Sequence, residues 1–389
     1  MTRRDAPEHT DSPMHVALAI YGDLDATSGG FRYDRRVVAR LRERGDTVDV
    51  IALPWRRYPR GLADSIDPRV RDRLNRDVDV LVQDGLCHPS VWRHNRRLTR
   101  PDAVVGLVHH LRSDDPTERF GHLMRPFERR FLRSVDATVA TSAFTRGRAE
   151  RIAPSTASTP TLVAHPAGRV EGAAVTESTV RERAGDGPLR VAFVGSVVPR
   201  KDPATLLAAM ARLDRRNGTH DLRLTVVGSH DVAPDYADRT VELATDLGVD
   251  DRVSFVGELS STDLVETLAN AHVCCVPARY EAFGMVHLEA MEHGAVPIAG
   301  AIGGTSEFVR DGGNGYLVSP GDERALADRL GRLAADRDRL ARMGIAALRT
   351  AASHPTWAET TDRVRTFLRS AANGALAESG TSVAGGEHA

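Results

Sequence analysis

Two carboxylates eight residues apart, Glu281 and Glu289, stand in the run Pro-Ala-Arg-Tyr-Glu-Ala-Phe-Gly-Met-Val-His-Leu-Glu-Ala-Met-Glu-His-Gly that covers 277–294. His272 to Val276 reads as a buried strand that Pro277 breaks. A helix is expected to start near Gly284 and to end at Gly294, in the left-handed conformation that glycine adopts cheaply. Glu289 then lies in its second turn. The amides of Phe283, Gly284 and Met285 would open that helix, and the bare N–H groups of a helix start attract anions, phosphate above all. Carboxylates beside an anion site suit a ligand with phosphate and hydroxyl groups, such as a nucleotide sugar. Solvated glutamates on an ordinary strand–loop–helix unit are the other reading.

Lys201 is the one lysine in the chain, although lysine and arginine together number 52. It sits in Gly195-Ser-Val-Val-Pro-Arg-Lys-Asp-Pro203, just before a helix for which Asp202 reads as N-cap and Pro203 as first residue. A lysine is a compact charge that reaches phosphate oxygens from a loop, and Arg200 offers a second cation beside it. Gly29 and Gly30 follow the first strand and allow close backbone approach to a ligand. His109 and His110 follow a strand ending at Val108 and should point into a cleft, without a third ligand at zinc spacing. Two Asp-x-Asp triplets, Asp23/Asp25 and Asp77/Asp79, raise a metal site, but Lys201 and helix starts already supply positive potential, so none is expected.

The elements that carry these residues alternate. Strands are expected at 15–20, 48–53, 78–82, 103–108, 137–140 and 161–164, with helical patterns between them, and again at 189–194, 222–227 and 253–256. Such alternation predicts α/β architecture with two doubly wound parallel sheets. Residues 1–13 read as a disordered leader, 14–170 as a first Rossmann-like domain, and 171–188 as an irregular linker. Residues 189–352 read as a second Rossmann-like domain, and 372–389 as a disordered tail.

The bulk composition narrows the class. A 41% hydrophobic, 27% charged chain of 389 residues is long enough for two domains, and no run approaches a membrane span. The leader lacks an apolar core, so a cytoplasmic protein is expected. Cys87, Cys274 and Cys275 have neither paired nor zinc-like spacing and read as buried thiols. The net charge of −1 divides into +5 for 1–187 and −6 for the rest, too small an excess for nucleic-acid binding. Phe120, Leu123, Met124, Phe127 and Phe131 recur at helical intervals among arginines. That pattern fits a core helix with a solvated face or a helix lying on an anionic membrane surface.

Residues 277–307 resemble the Glu-x7-Glu signature of the retaining glycosyltransferases of family 4, which have the two-domain GT-B fold. Glu281 and Glu289 match its glutamates, Phe283-Gly284 its Phe-Gly, and Gly303-Gly304 with Glu307 its trailing Gly-Gly-x-x-Glu. Gly195 and Lys201 match the family's Gly-Arg-x-x-x-x-Lys-Gly, while Ser196 stands where the arginine would be and Asp202 where the second glycine would be. The resemblance implies transfer of a sugar from a nucleotide-diphospho donor, UDP- or GDP-linked, to an acceptor hydroxyl. It further implies retention of configuration, with no metal and no cofactor. His109, Lys201 and Glu281 would act on the donor sugar and diphosphate. Gly29, Gly30, Gly195, Arg200, Phe283, Gly284, Met285 and Glu289 would bind the donor, Glu289 through its ribose. The first domain, 14–170, would be the acceptor side and the second, 189–352, the nucleotide-sugar side, and residues 353–371 would cross back to the first domain. A sugar-nucleotide epimerase of the same fold, or a nucleotide-sugar-binding protein without catalysis, is the alternative; the acceptor is not specified.

Overall fold

The computed structural model describes residues 12–376, apart from 27, 155–158, 169–174 and 218–221. Apolar β-branched runs form the strands, and amphipathic stretches form the helices that cover both faces of two sheets. The first half runs β1 (His15–Tyr21), α1 (Gly29–Glu43), β2 (Thr47–Leu53), α2 (Tyr58–Asp64), α3 (Pro68–Leu74), β3 (Val80–Asp84), α4 (His88–Asn95), β4 (Ala103–Val108), α5 (Gly121–Leu132), β5 (Ala137–Ala140), α6 (Ala143–Ile152) and β6 (Thr161–Val163). The second half runs α7 (Glu177–Ala184), β7 (Leu189–Val194), α8 (Pro203–Asn217), β8 (Leu222–Val227), α9 (Pro234–Asp246), β9 (Val253–Gly257), α10 (Ser261–Asn270), β10 (Val273–Val276), α11 (Met285–Met291), β11 (Val296–Gly300), β12 (Tyr316–Val318), α12 (Glu323–Ala335), α13 (Arg337–Ala352) and α14 (Trp357–Ala372).

Each half holds a six-stranded, all-parallel sheet. The orders are β2-β1-β3-β4-β5-β6 and β12-β11-β10-β7-β8-β9. In each sheet the order reverses beside the half's first strand, which opens a crevice at the carboxyl ends of the strands. The first sheet is packed on both faces, and one of its two core clusters includes Trp357, Val364 and Leu368 of α14. The last helix therefore docks on the first half. The Trp357 indole donates to the Gly168 carbonyl at 2.7 Å, and Arg365 pairs with buried Asp46 at 2.7 Å. Among the described residues no helix is long and apolar enough to cross a membrane.

The structure departs from the sequence reading in several places. The stretch read as an irregular linker, 171–188, contains α7. Its surface is polar, but Val180 and Ala184 face inward and pack toward α13, enough burial to hold two turns of helix. Residues 1–11 and 377–389 of the expected leader and tail lie outside the described residues, but Ala372 ends α14, and both it and Leu376 pack on the first core. Strand β3 begins two residues later than expected, so Gln83 and Asp84 belong to it and are buried.

Candidate active site

The site is built where the carboxyl ends of both sheets meet. After β7 the chain turns at Gly195, whose φ of +148° favours glycine, and a Cβ on the neighbouring Gly228 would lie 2.1 Å from the Gly195 carbonyl oxygen. It then climbs to Lys201, and the ammonium donates to Glu281 in the loop after β10. Arg200 faces the same loop. Its guanidinium donates to the Tyr280 carbonyl at 3.0 Å and lies 3.7 Å from the Glu281 carboxylate. On its other side it lies 3.7 Å from Asp115 of the first half, which is also 3.6 Å from His110. Burial works to raise the Glu281 pKa, but Lys201 and Arg200 outweigh it and hold the carboxyl at about 2. Burial and Arg200 in turn push His110 down to about 4, so that ring is neutral at pH 7.

Asp202 is no ordinary N-cap. It has a φ of +53° where the resembling family has glycine, and its buried carboxylate accepts from Thr205 at 2.9 Å and pairs with Arg279 at 3.0 Å. Those contacts offset a strained backbone that a glycine would adopt freely.

Helix α11 starts at Met285 behind Gly284, whose φ is +90°. Glu289 is buried one turn further on and pairs with Arg32 from the first turn of α1, across the cleft. The helix itself stops at Met291, and Gly294 takes its left-handed φ of +66° three residues later.

The first turn of α1 reaches the remaining residues. A side chain at Gly29 would lie 3.4 Å from the Met285 sulfur, and one at Gly30 3.4 Å from the His109 ring. His109 stands at the end of β4 with Nε2 2.8 Å from Asp34, and Asp84 completes a buried group. Ligand atoms of Asp34, Asp84 and His109 all lie within 4.8 Å of one another. Burial lowers the His109 pKa, but the charge and hydrogen bond of Asp34 overcome it and raise the net value.

The structure thus brings Lys201, Arg200 and Glu281 together, sets Glu289 against Arg32, and sets His109 beside Gly30. It does not bring together the Asp-x-Asp residues: Asp23 and Asp25 are exposed, and Asp79 accepts from the His15 amide at the sheet's opposite edge. The sequence assigned no individual role to Arg32, Asp34, Asp84 or Asp115. Only their proximity to Gly30 and to strand ends marked them in the sequence.

Two facing Rossmann-like sheets with a polar site between their carboxyl edges define the GT-B architecture. Sucrose-phosphate synthase from Thermosynechococcus elongatus has this fold, with a TM-score of 0.78 and 22% identity over 92% of this chain and 98% of that one. Anabaena HepE, solved in complex with UDP-glucose, aligns with a TM-score of 0.73 and 18% identity over 92% of this chain and all of its own. Residues 176–350, in the second half, match the family described as Glycosyl transferases group 1. D-inositol 3-phosphate glycosyltransferase from Nocardia farcinica is 40% identical over 173 residues, 44% of this chain and 38% of that protein. Its counterpart in Corynebacterium diphtheriae is 34% identical over 182 residues, 47% of this chain and 42% of that protein. The matches therefore span about two-fifths of these curated relatives.

Proposed function

We propose that the protein is an enzyme that transfers a glycosyl group from a nucleotide-diphospho sugar, UDP- or GDP-linked, to an acceptor hydroxyl, with retention of configuration and without a metal. The observation that carries this reading is the convergence of Lys201, Arg200 and Glu281 at the carboxyl edge of the second sheet, against Asp115 and His110 of the first. Departure of a diphosphate develops negative charge, and fixed cations in a half-buried cleft stabilise it without reorganising. Glu281 holds the Lys201 ammonium at the place where that charge would form. Glu289, paired with Arg32, would exchange that partner for ribose hydroxyls. Gly29 and Gly30 have ordinary backbone angles and room for a Cβ, so the protein's own packing does not demand glycine there. Close approach of the donor, with His109 at its sugar, accounts for both.

Retention through a covalent intermediate needs a free carboxylate nucleophile on the far face of the sugar. Both glutamates here are engaged by cations, which favours front-face departure with the leaving phosphate accepting the acceptor's proton. The names of the relatives and the UDP-glucose complex of HepE support a nucleotide-sugar donor. Exposed Phe120 just before α5 and exposed Leu123 on it, among exposed Arg125 and Arg129, support a peripheral contact with the inner face of the membrane, on the cytoplasmic side.

The test is product detection. The protein is incubated with UDP-glucose, UDP-N-acetylglucosamine or GDP-mannose and with sugar and polyol acceptors, inositol 3-phosphate included. Mass spectrometry is expected to show a glycosylated acceptor, and NMR the anomer of the donor. A matched donor at about a hundred times its Kd adds about 2.7 kcal/mol of stability, which a thermal shift reads. Donor binding with no product, or an epimerised sugar alone, would reject transfer. Co-sedimentation with anionic vesicles, lost in Leu123→Ser, checks the membrane contact.

A further inference from the structure

Helix α6 takes the acceptors for its first turn from both halves of the molecule. Ser142, its N-cap, accepts from the Thr145 amide at 2.9 Å. The amides of Ala143 and Phe144 donate instead to the carboxylate of Glu307, at 3.0 and 2.8 Å, from the other half of the chain. His165, which follows β6 in the first half, places Nε2 2.7 Å from the same carboxylate. One side chain of the second half thus holds three groups of the first. A carboxylate there gains from the bare amides and from the helix dipole together. Burial opposes the charge, yet His165 and the two amides outweigh it and keep the Glu307 carboxyl below the usual range.

Neighbouring contacts close the same crossing. Ser142 Oγ donates to the Ala282 carbonyl at 2.7 Å, and the rings of Phe144 and Tyr280 lie 5.5 Å apart. Glu307 ends a short 3-10 turn, Gly304–Glu307, that is bonded to the loop of Glu281. The Gly304 amide donates to the Glu281 carbonyl at 3.0 Å, and the Glu281 amide donates to the Ile302 carbonyl at 3.1 Å. A single pair of loops therefore presents Glu307 to α6 at one end and Glu281 to Lys201 at the other.

We propose that Glu307 is a positioning residue that latches the two halves by capping α6 and so couples closure of the cleft to the placement of Glu281 and Lys201. The inference rests on the glycosyl-transfer reading above. If the halves part, water takes up the amides, the imidazole and the carboxylate, so opening strands no polar group. A contact of that kind biases an equilibrium between closed and open forms and leaves both accessible.

Hydrogen exchange at single amides tests the latch in the full chain. Glu307→Ala is expected to speed exchange at Ala143 and Phe144 by about tenfold or more while the amides of β4 and β7 stay as they were. It is expected to lower kcat by about tenfold or more and to leave the Kd for UDP within about threefold, because Lys201 and Glu289 remain. Glu307→Gln preserves volume but turns an N–H donor toward N–H groups, so it should reproduce the alanine phenotype even if the alanine variant folds poorly. Glu307→Asp should restore part of kcat. Unchanged exchange at Ala143 and Phe144 overturns the latch. A loss of UDP affinity equal to the loss of turnover overturns it too, because Glu307 would then belong to the ligand site or to the fold. If no sugar is transferred by the unmodified protein, the proposed function fails while the exchange measurement still decides the latch.

Discussion

Asp84 is a carboxyl buried at the end of β3, with Asp34 and His109 as its neighbours. Burial first, then the charge of Asp34, push it up to about 7, against the pull of His109 and the Leu86 amide. The folded chain therefore keeps a proton that the unfolded chain releases near the model-peptide value of about 3.9. Stability must fall as pH rises from there to about 7, and level off above. His109 slopes the same way. Its folded pKa is raised, so its contribution is complete below about 6.5 and lost as pH climbs through the folded value. Asp84→Asn keeps the shape and removes the larger titration. The melting temperature of the unmodified protein is expected to fall more steeply between pH 5 and pH 8 than that of the variant. At pH 8 the variant should be the more stable by an amount on the order of 1–3 kcal/mol, since each pKa unit is worth about 1.4 kcal/mol. Parallel pH slopes for the two proteins would show that Asp84 titrates normally.

At the scale of elements, the loop pair formed by the Glu281 segment and the turn at Gly304 is set by close approach. A Cβ on Gly304 would lie 2.4 Å from the Ala282 carbonyl oxygen, 2.9 Å from Ser142 Cβ and 3.1 Å from Phe283 Cα. Backbone atoms on two sides cannot yield as a flexible side chain would. Gly304→Ala should therefore cost about 1–3 kcal/mol, the usual range for overpacking, and disturb transfer as well. Gly29→Ala, which meets only the Met285 sulfur at 3.4 Å, serves as the control and should leave the melting temperature nearly unchanged. Equal thermal shifts in the two variants would refute the distinction. The sequence marked Gly303 and Gly304 as a motif but could not say what they approach. The same divide runs through the fold. Strand 103–108 was legible to the residue because a strand buried on both faces reads as an unbroken apolar run, and 222–227 because Arg223 and Thr225 alternate with buried Leu222, Leu224 and Val226. Helix α7 was not, because two inward side chains among polar ones give little periodicity. Asp34 and Arg32 were invisible for a further reason: a polar residue on an amphipathic helix looks solvated until the fold brings His109 or Glu289 against it.

Over the whole molecule, the cleft gathers cations from both halves, Arg32 from the first and Arg200 and Lys201 from the second, each set against a carboxylate. Under the proposed function, a diphosphate entering there would meet charge already fixed in place, which is the task a divalent ion performs in metal-dependent transfer. Two measurements follow from that arrangement. Excess EDTA is expected to leave the transfer rate within about twofold, whereas Lys201→Ala should cost on the order of a hundredfold or more, as loss of a preorganised charge-stabilising donor does. If EDTA instead abolishes transfer and manganese restores it, the neutralising charge is an ion, and the described residues offer two places to test for it. Asp34, Asp84 and His109 converge and are enclosed, while Asp23 and Asp25 lie exposed on a loop with the Asp25 amide bonded to Asp23. Asp84→Asn would then remove the manganese response and Asp23→Asn would not. The reverse pattern would move the ion to the loop after β1, where the donor diphosphate would have to reach it across the opening of α1.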